Sequence, residues 1–298
     1  MIYDHIDLFS GIGGFSYGLE KSGIITTEFV EYEDHLQRVL KKHWPNTKIH
    51  KDIRDYDPPK QPFIMSGGFP CSDISIGNPN GKGLEGERSG LWREYLRCIR
   101  FSRPKYVLIE NVFTLLSKGL GTILQNLAES GYDSTWTIID SQYSGVPHRR
   151  RRVYILGVRD GIPRGADPFA NQIRSGQEIR EKADFVKRSF EWDFKEGAGI
   201  GEPIAYFTRQ RSDQYATKGT ASTITKRDWK SFTDLVLHEG VLRRVGPPER
   251  LKLQGLPSDW LDDCDLTTKE KYAANGMTVK VTEWLGRKVM DFDREFGS

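Results

Sequence analysis

The segment Ser66-Gly67-Gly68-Phe69-Pro70-Cys71-Ser72-Asp73-Ile74-Ser75 follows a short apolar run and sets a cysteine among glycines, a proline and polar residues. A lone cysteine is more often a small core residue than a nucleophile, but this company points to an exposed loop and a thiol open to react. Downstream, Leu108-Ile109-Glu110-Asn111-Val112 ends another apolar run on a carboxylate suited to proton transfer, although a helix N-cap or a solvated turn would read the same way in isolation. A basic run, His148-Arg149-Arg150-Arg151-Arg152, enters Val153-Tyr154-Ile155-Leu156-Gly157. Strand alternation puts Arg150 and Arg152 on one face, where one or both reach a site, while a surface stripe for phosphate is the competing reading.

A second group of residues suits a small molecule. Phe9-Ser10-Gly11-Ile12-Gly13-Gly14-Phe15 follows the run Tyr3–Leu8, and glycines there let the backbone turn tightly and approach a ligand at a helix N-terminus. Such a turn is as often structural as ligand-binding. The next apolar run ends in Glu31-Tyr32-Glu33, an acidic position suited to ribose hydroxyls beside an aromatic able to cover a base. Asp52-Ile53 adds a carboxylate for an exocyclic amine.

These residues need a scaffold that brings loop ends to one edge. Short β-branched or aromatic runs at Tyr3–Leu8, Thr27–Tyr32, Phe63–Gly67, Tyr106–Glu110, Thr135–Asp140 and Arg152–Val158 alternate with amphipathic stretches at Glu33–His43, Ser89–Ser102 and Leu116–Ser130. That rhythm predicts a doubly wound α/β domain over 1–160, whose ligands sit at the carboxyl ends of its strands. From about Asp160 to Arg243 the rhythm is lost and Gly, Pro, Arg, Lys and Asp become frequent, which marks a smaller lobe over 161–243. The segment 244–298 returns to complete the first domain, with helices expected at Pro247–Gln254 and at Lys269–Phe292, the latter interrupted near Gly276.

The 298 residues suffice for one large domain or two unequal ones, and 37% hydrophobic, 29% charged and 11% aromatic residues describe an ordinary globular chain. A net charge of +3 does not itself argue for nucleic acid; only the clustering of basic residues does. Cys71, Cys98 and Cys264 lack the spacing of a zinc site and the even count of a disulfide framework, so free thiols in a reducing compartment are expected. No apolar run is long enough to span a bilayer and no signal peptide opens the chain, so a cytoplasmic setting is expected.

With these motifs in order along nearly its whole length, the sequence resembles the DNA cytosine-5 methyltransferase family of bacterial or phage type. The resemblance rests on DLFSGIGGFS at 7–16, GGFPCSDIS at 67–75, ENV at 110–112, PHRRRRVYILG at 147–157 and PPERLKLQGLP at 247–257. It implies the mixed or parallel doubly wound sheet of the S-adenosylmethionine-dependent methyltransferases with a smaller target-recognition domain. It further implies that Cys71 attacks carbon 6 of cytosine, that Glu110 engages N3 and the exocyclic amine, and that Arg152, with Arg150 beside it, steadies the activated base.

The same resemblance lines the S-adenosylmethionine pocket with Phe9, Ser10, Gly11, Gly13, Gly14, Glu31, Tyr32, Asp52, Ile53, Pro70 and Thr278, and makes S-adenosylhomocysteine the product. Duplex DNA is the implied partner, with Ser75, Arg88, Arg209, Arg211, Thr223, Lys226 and Arg227 as contacts and Ala221–Thr225 preceding the base-reading positions. The target base must be flipped out, at a cost of a few kcal/mol. No metal is required, a monomer is the default, and a cognate restriction endonuclease acting on the same site is a possible companion.

Three positions depart from the family pattern. Ser72 and His148 stand where glutamine is common, and Asn275-Gly276-Met277-Thr278-Val279 replaces the usual Gly-Asn-Ala-Val. Rival readings are a transfer RNA cytosine-5 methyltransferase, for which Tyr206-Phe207-Thr208 is a faint sign, a catalytically silent DNA-binding homologue, and a small-molecule methyltransferase.

Overall fold

The computed structural model describes residues 2–70, 91–144, 146, 148–163, 166, 168–169, 205–209, 215–218, 235–238, 241–273 and 276–297. The chain divides into two compact units, one formed by Met1–Ile139, Arg151–Gln172 and Thr282–Ser298, the other by Asp140–Arg150 and Ile173–Val281.

Among the described residues the first unit is built on a seven-stranded sheet: β1 (Asp4–Leu8), β2 (Ile25–Val30), β3 (Lys48–His50), β4 (Ile64–Gly67), β5 (Tyr106–Val112), β6 (Asp133–Asp140) and β7 (Arg151–Val158), in the order β3-β2-β1-β4-β5-β7-β6. The pairs from β3 to β5 are parallel. β7 runs antiparallel to β5, with Glu110 opposite Tyr154 and Val112 opposite Arg152. The sheet is thus mixed. Its helices are α1 (Gly14–Glu20), α2 (Asp34–His43), α3 (Leu91–Ser102), α4 (Leu115–Lys118), α5 (Leu120–Glu129) and α8 (Val279–Phe296), the last of which begins in the second unit.

The elements follow from their residues. β4 and the first half of β5 are buried throughout, as befits central strands covered on both faces. α2 buries Leu36, Val39 and Leu40 on one stripe, and carries Asp34 in its first turn and Lys41, Lys42 and His43 in its last, which complements the helix dipole. One apolar core gathers Ile6, Leu8, Met65, Val107, Ile109 and Ile155 from the sheet with Trp92, Tyr95, Ile99, Ile123 and Leu127 from α3 and α5.

The helix expected over Leu116–Ser130 is two helices parted at Gly119, and β3, too short to announce itself, forms the sheet's edge. As expected, a helix, α1, follows the glycine turn, and the helical stretch expected at Lys269–Phe292 is broken around Gly276, into α7 (Leu266–Ala273) and α8.

In the second unit β8 (Ala205–Arg209), β9 (Tyr215–Lys218), β10 (Leu235–His238) and β11 (Val241–Arg244) form an antiparallel sheet in the order β11-β10-β8-β9. No strand was legible here in the sequence, because runs of four or five residues carry too little alternation to register. α6 (Pro247–Leu253) starts with two prolines where the helix has no N–H bond to lose. Glu249 turns back to accept the Gly246 N–H at 2.7 Å and pairs with Arg243 at 2.7 Å.

Beneath the glycine turn the first unit buries polar side chains on one face of β1. His5 is within hydrogen-bonding distance of Thr26 Oγ1 (3.0 Å) and Ser66 Oγ (2.7 Å), and the Ser16 hydroxyl donates to Asp7 Oδ2 at 2.7 Å. Burial lowers the His5 imidazole from 6.5 to about 3 and raises the Asp7 carboxyl from 3.8 to about 8. Unfolding lets His5 take up a proton near 6.5, so its contribution to stability is full above that pH and is lost as pH falls toward 3. Asp7 acts in the opposite sense: it keeps its proton when folded, so its contribution is full below 3.8 and is lost as pH rises toward 8.

Between 6.5 and 8 only the Asp7 slope remains. Stability is expected to fall there by on the order of 2 kcal/mol. Asp7→Asn should flatten that decline in denaturant melts at the two pH values; a decline of the same size in the variant would rule Asp7 out as its source.

Candidate active site

β1 feeds the turn that the sequence singled out. Phe9, Gly11 and Gly13 all have positive φ (55°, 59° and 82°), and at Gly13 a β-carbon would lie 2.5 Å from the Trp44 ring. Only glycine meets both demands there. The Ser10 hydroxyl donates to the Asp7 carbonyl at 2.6 Å, and the Ser10 N–H bonds Val30. Gly14 opens α1.

Glu31, at the end of β2, is buried. Its carboxylate accepts the Gly11 N–H (2.7 Å) on Oε2 and the Glu33 N–H (2.9 Å) on Oε1, and Gln37 donates to its carbonyl. Burial raises its carboxyl above the ordinary value, and the Glu33 and Gly11 hydrogen bonds pull the other way. Each carboxylate oxygen accepts more than one hydrogen bond, so Glu31 ties the turn to β2 and still has lone pairs for hydroxyls.

Tyr32 is 59% exposed beside it. Asp52 caps a short 3-10 turn, Ile53–Asp55, and is gripped by the Arg54 side chain at 2.5–3.0 Å, which holds its carboxyl below the ordinary range. An amine ligand at Asp52 would share it with Arg54. Ile53 is buried in the core cluster, and Phe9 packs against that cluster.

The second constellation lies at the carboxyl ends of β4 and β5. Glu110 and Arg152 form an ion pair at 2.9 Å, with side chains only 12% and 15% exposed. Their positions follow from the β5–β7 register: Arg152 faces Val112, two residues along the same face from Glu110. Asn111 points to the other face, donates to the Phe69 carbonyl at 3.2 Å and accepts the Val112 N–H, which ties β5 to the chain leaving β4. At Gly68 a β-carbon would stand 2.8 Å from Glu110 Oε2, so the missing side chain is the space the carboxylate occupies.

Phe69 is buried and Pro70 half-buried; Cys71, Ser75 and Arg88 lie outside the described residues. Gly68 and Asn111 were not singled out from the sequence, although both sit inside the motifs quoted for the resemblance.

The alternation argument for Arg150 does not hold. β7 starts at Arg151, so Arg150 precedes the strand. Arg150 belongs to the second unit, is buried, donates its N–H to Asp140 Oδ1 at 2.9 Å and offers its carbonyl to Ser141. Thr278, in the same unit, is fully buried; its hydroxyl donates to Gln254 Oε1 at 3.0 Å and lies 2.9 Å from Ser141 Oγ. That hydroxyl is engaged within the protein. Arg209 ends β8, described by its backbone alone, and Arg211, Thr223, Lys226 and Arg227 lie outside the described residues.

Comparison with known proteins gives this arrangement a context. The chain is 30% identical over 301 residues to the Type II methyltransferase M2.BsuMI of Bacillus subtilis, covering 95% of this chain and 74% of that one. It is also 30% identical over 296 residues to the Type II methyltransferase M.NgoBI of Neisseria gonorrhoeae, covering 95% and 91%. The methyltransferase EhMeth of Entamoeba histolytica has the same fold, with a TM-score of 0.67 at 16% identity over 98% of each chain. The model of the C-5 cytosine-specific DNA methylase family matches residues 3–291, and the chain belongs to that family.

Proposed function

We propose that the protein methylates carbon 5 of a flipped-out cytosine in a specific duplex DNA sequence, drawing the methyl group from S-adenosylmethionine through a covalent adduct with Cys71. The observation that carries this reading is the Glu110–Arg152 pair beside Gly68, three residues before Cys71, with Asn111 holding the intervening backbone. A proton-transferring carboxylate and a fixed cation are thereby held at the strand edge from which the chain runs on toward Cys71.

Carbon 5 of cytosine is a weak nucleophile. Addition of the Cys71 thiolate to carbon 6, with Glu110 donating a proton or hydrogen bond at N3, pushes electron density onto carbon 5. Arg152 stabilises the charge that develops on the ring. S-adenosylmethionine, held at the glycine turn and Glu31, would supply an electrophilic sulfonium methyl, with S-adenosylhomocysteine as the product. Carbon 5 takes the methyl group, then loses its proton to a base, and the carbon 6–sulfur bond breaks to release the thiolate as N3 returns its proton to Glu110.

The turn of the first unit suits that donor: at Gly11, whose φ is positive, a β-carbon would meet nothing within 4 Å, which leaves room for close approach, Glu31 retains lone pairs for ribose hydroxyls, and Tyr32 exposes an aromatic face. Phe9, Ser10, Gly14, Asp52, Ile53 and Pro70 would complete the pocket. Residues 161–243 would form the target-recognition domain, with Arg209, Arg211, Thr223, Lys226 and Arg227 toward DNA and Ser75 and Arg88 near the flipped base. The Type II names of relatives support work in a bacterial cytoplasm alongside a restriction endonuclease. Among the described residues no helix is long and apolar enough to cross a membrane.

The test is to supply methyl-labelled S-adenosylmethionine with duplex DNA or with transfer RNA and to identify the product nucleoside by mass spectrometry. 5-Methylcytosine in duplex DNA is expected; label in transfer RNA alone would replace this reading with the RNA one, and label in neither would favour a silent homologue.

Gly68→Ala probes the position of Glu110. Its β-carbon must displace the carboxylate, and a catalytic group moved by about 1 Å costs on the order of 10²-fold in rate. Turnover should fall by that much with little change in the melting temperature; full activity in the variant would mean that Glu110 is not held where catalysis needs it.

A further inference from the structure

We propose that Arg151, held over the ring of Phe113, is a phosphate-binding group that fixes the DNA strand beside the target cytosine. The inference rests on the reading of duplex DNA as substrate and adds to it a contact that neither the motifs nor the catalytic pair requires.

The β5–β7 ladder ends with Val112 opposite Arg152, so Phe113 and Arg151 are the next residues outward at the same end of the sheet. The Arg151 guanidinium carbon lies 4.4 Å from the centroid of the Phe113 ring. Both side chains are exposed, Phe113 at 37%. The neighbouring arginine has the opposite fate: Arg152 turns to Glu110 at 2.9 Å and donates to the Arg151 carbonyl. Two consecutive arginines on a strand face opposite ways, so one serves the buried pair and the other faces solvent. Among the described residues no carboxylate lies within ion-pair distance of Arg151, and its described partner is the ring.

Attraction to a ring face uses none of the guanidinium N–H groups. Arg151 therefore presents its donors to solvent from a restricted position, and a guanidinium fork matches two oxygens of a phosphate better than a lysine does. Prior restriction lowers the entropy lost on binding. An exposed phenylalanine beside a solvent-facing arginine has little to contribute to stability, whereas it orients a cation at the edge where the base must enter. Flipping the base costs a few kcal/mol, and a phosphate contact close to it helps offset that cost.

The test compares wild type, Arg151→Ala, Arg151→Lys and Phe113→Leu for binding, across a salt series, to duplexes that the wild-type enzyme methylates. Loss of one phosphate contact should reduce the slope of log affinity against log salt by about 1 and weaken binding evenly across sequences. Arg151→Ala is expected to do this while kcat at saturating DNA and KM for S-adenosylmethionine stay at wild-type values. Arg151→Lys should keep the slope and lose affinity through the missing fork, and Phe113→Leu should likewise keep the slope and weaken binding.

An unchanged slope in Arg151→Ala overturns the proposal, as does a loss confined to one sequence or a fall in kcat without weaker binding. If the wild-type enzyme methylates no duplex, the functional reading fails together with this inference, an outcome distinguished by wild-type activity alone.

Discussion

On the proposed mechanism, replacing Cys71 with alanine is expected to lower methyl transfer by roughly 10⁴-fold or more, because it removes the group that would activate carbon 6 by addition. The remaining thiols are poor substitutes. Cys98 is fully buried in α3, and burial pushes its thiol up to about 12, so almost no thiolate exists at neutral pH. Cys264 lies in the second unit, outside all the quoted motifs.

A direct measurement uses duplex DNA bearing 5-fluorocytosine. Fluorine blocks the final proton loss, so wild-type protein with S-adenosylmethionine should form an adduct stable to denaturation. Cys71→Ala should form none while still binding DNA. An adduct in the variant would assign the nucleophile elsewhere, and an active variant without an adduct would remove the covalent step altogether.

The second large effect is expected at Glu110. Glu110→Gln keeps the shape and a hydrogen bond to the base but cannot deliver a proton to N3, and general acid–base groups of this kind contribute roughly 10²–10⁴-fold. The substitution also leaves the Arg152 guanidinium without its charged partner at 2.9 Å. Kinetics separate the two consequences. Loss of proton transfer appears in kcat at saturating DNA and cofactor, whereas a displaced Arg152 should also weaken binding of the flipped base. Arg152→Lys, which keeps the charge without the fork, should fall between wild type and Glu110→Gln in kcat. Equal rates for wild type and Glu110→Gln would show that N3 protonation is not part of the rate-limiting chemistry.

Both effects concern residues that stand out in the sequence, whereas the geometry that makes them work does not. Glu110 and Arg152 lie far apart in the chain and meet only because β7 runs antiparallel to β5 in one register. A shift of one residue would turn Arg152 to the other face, as the outward side chain of Arg151 illustrates. Gly68 reads as one of several glycines until the 2.8 Å approach of Glu110 is known. Arg54 closing on Asp52, and Gln254 and Ser141 engaging Thr278, are contacts between polar side chains that no periodicity announces.

What this sequence determined by itself is the kind of scaffold and the kinds of chemistry: apolar runs that can only be buried strands, glycines where the backbone must turn, and motifs whose order places the chain in its family. Those signals are local, since burial period and turn chemistry are written into neighbouring residues. The tertiary structure alone decided the strand directions, the sheet hidden in short strands after residue 204, the burial of Arg150, the pairing of Arg152 with Glu110, and the raised carboxyl of buried Asp7. Each depends on free energies between residues distant in the chain, where one register or one buried charge outweighs any local preference.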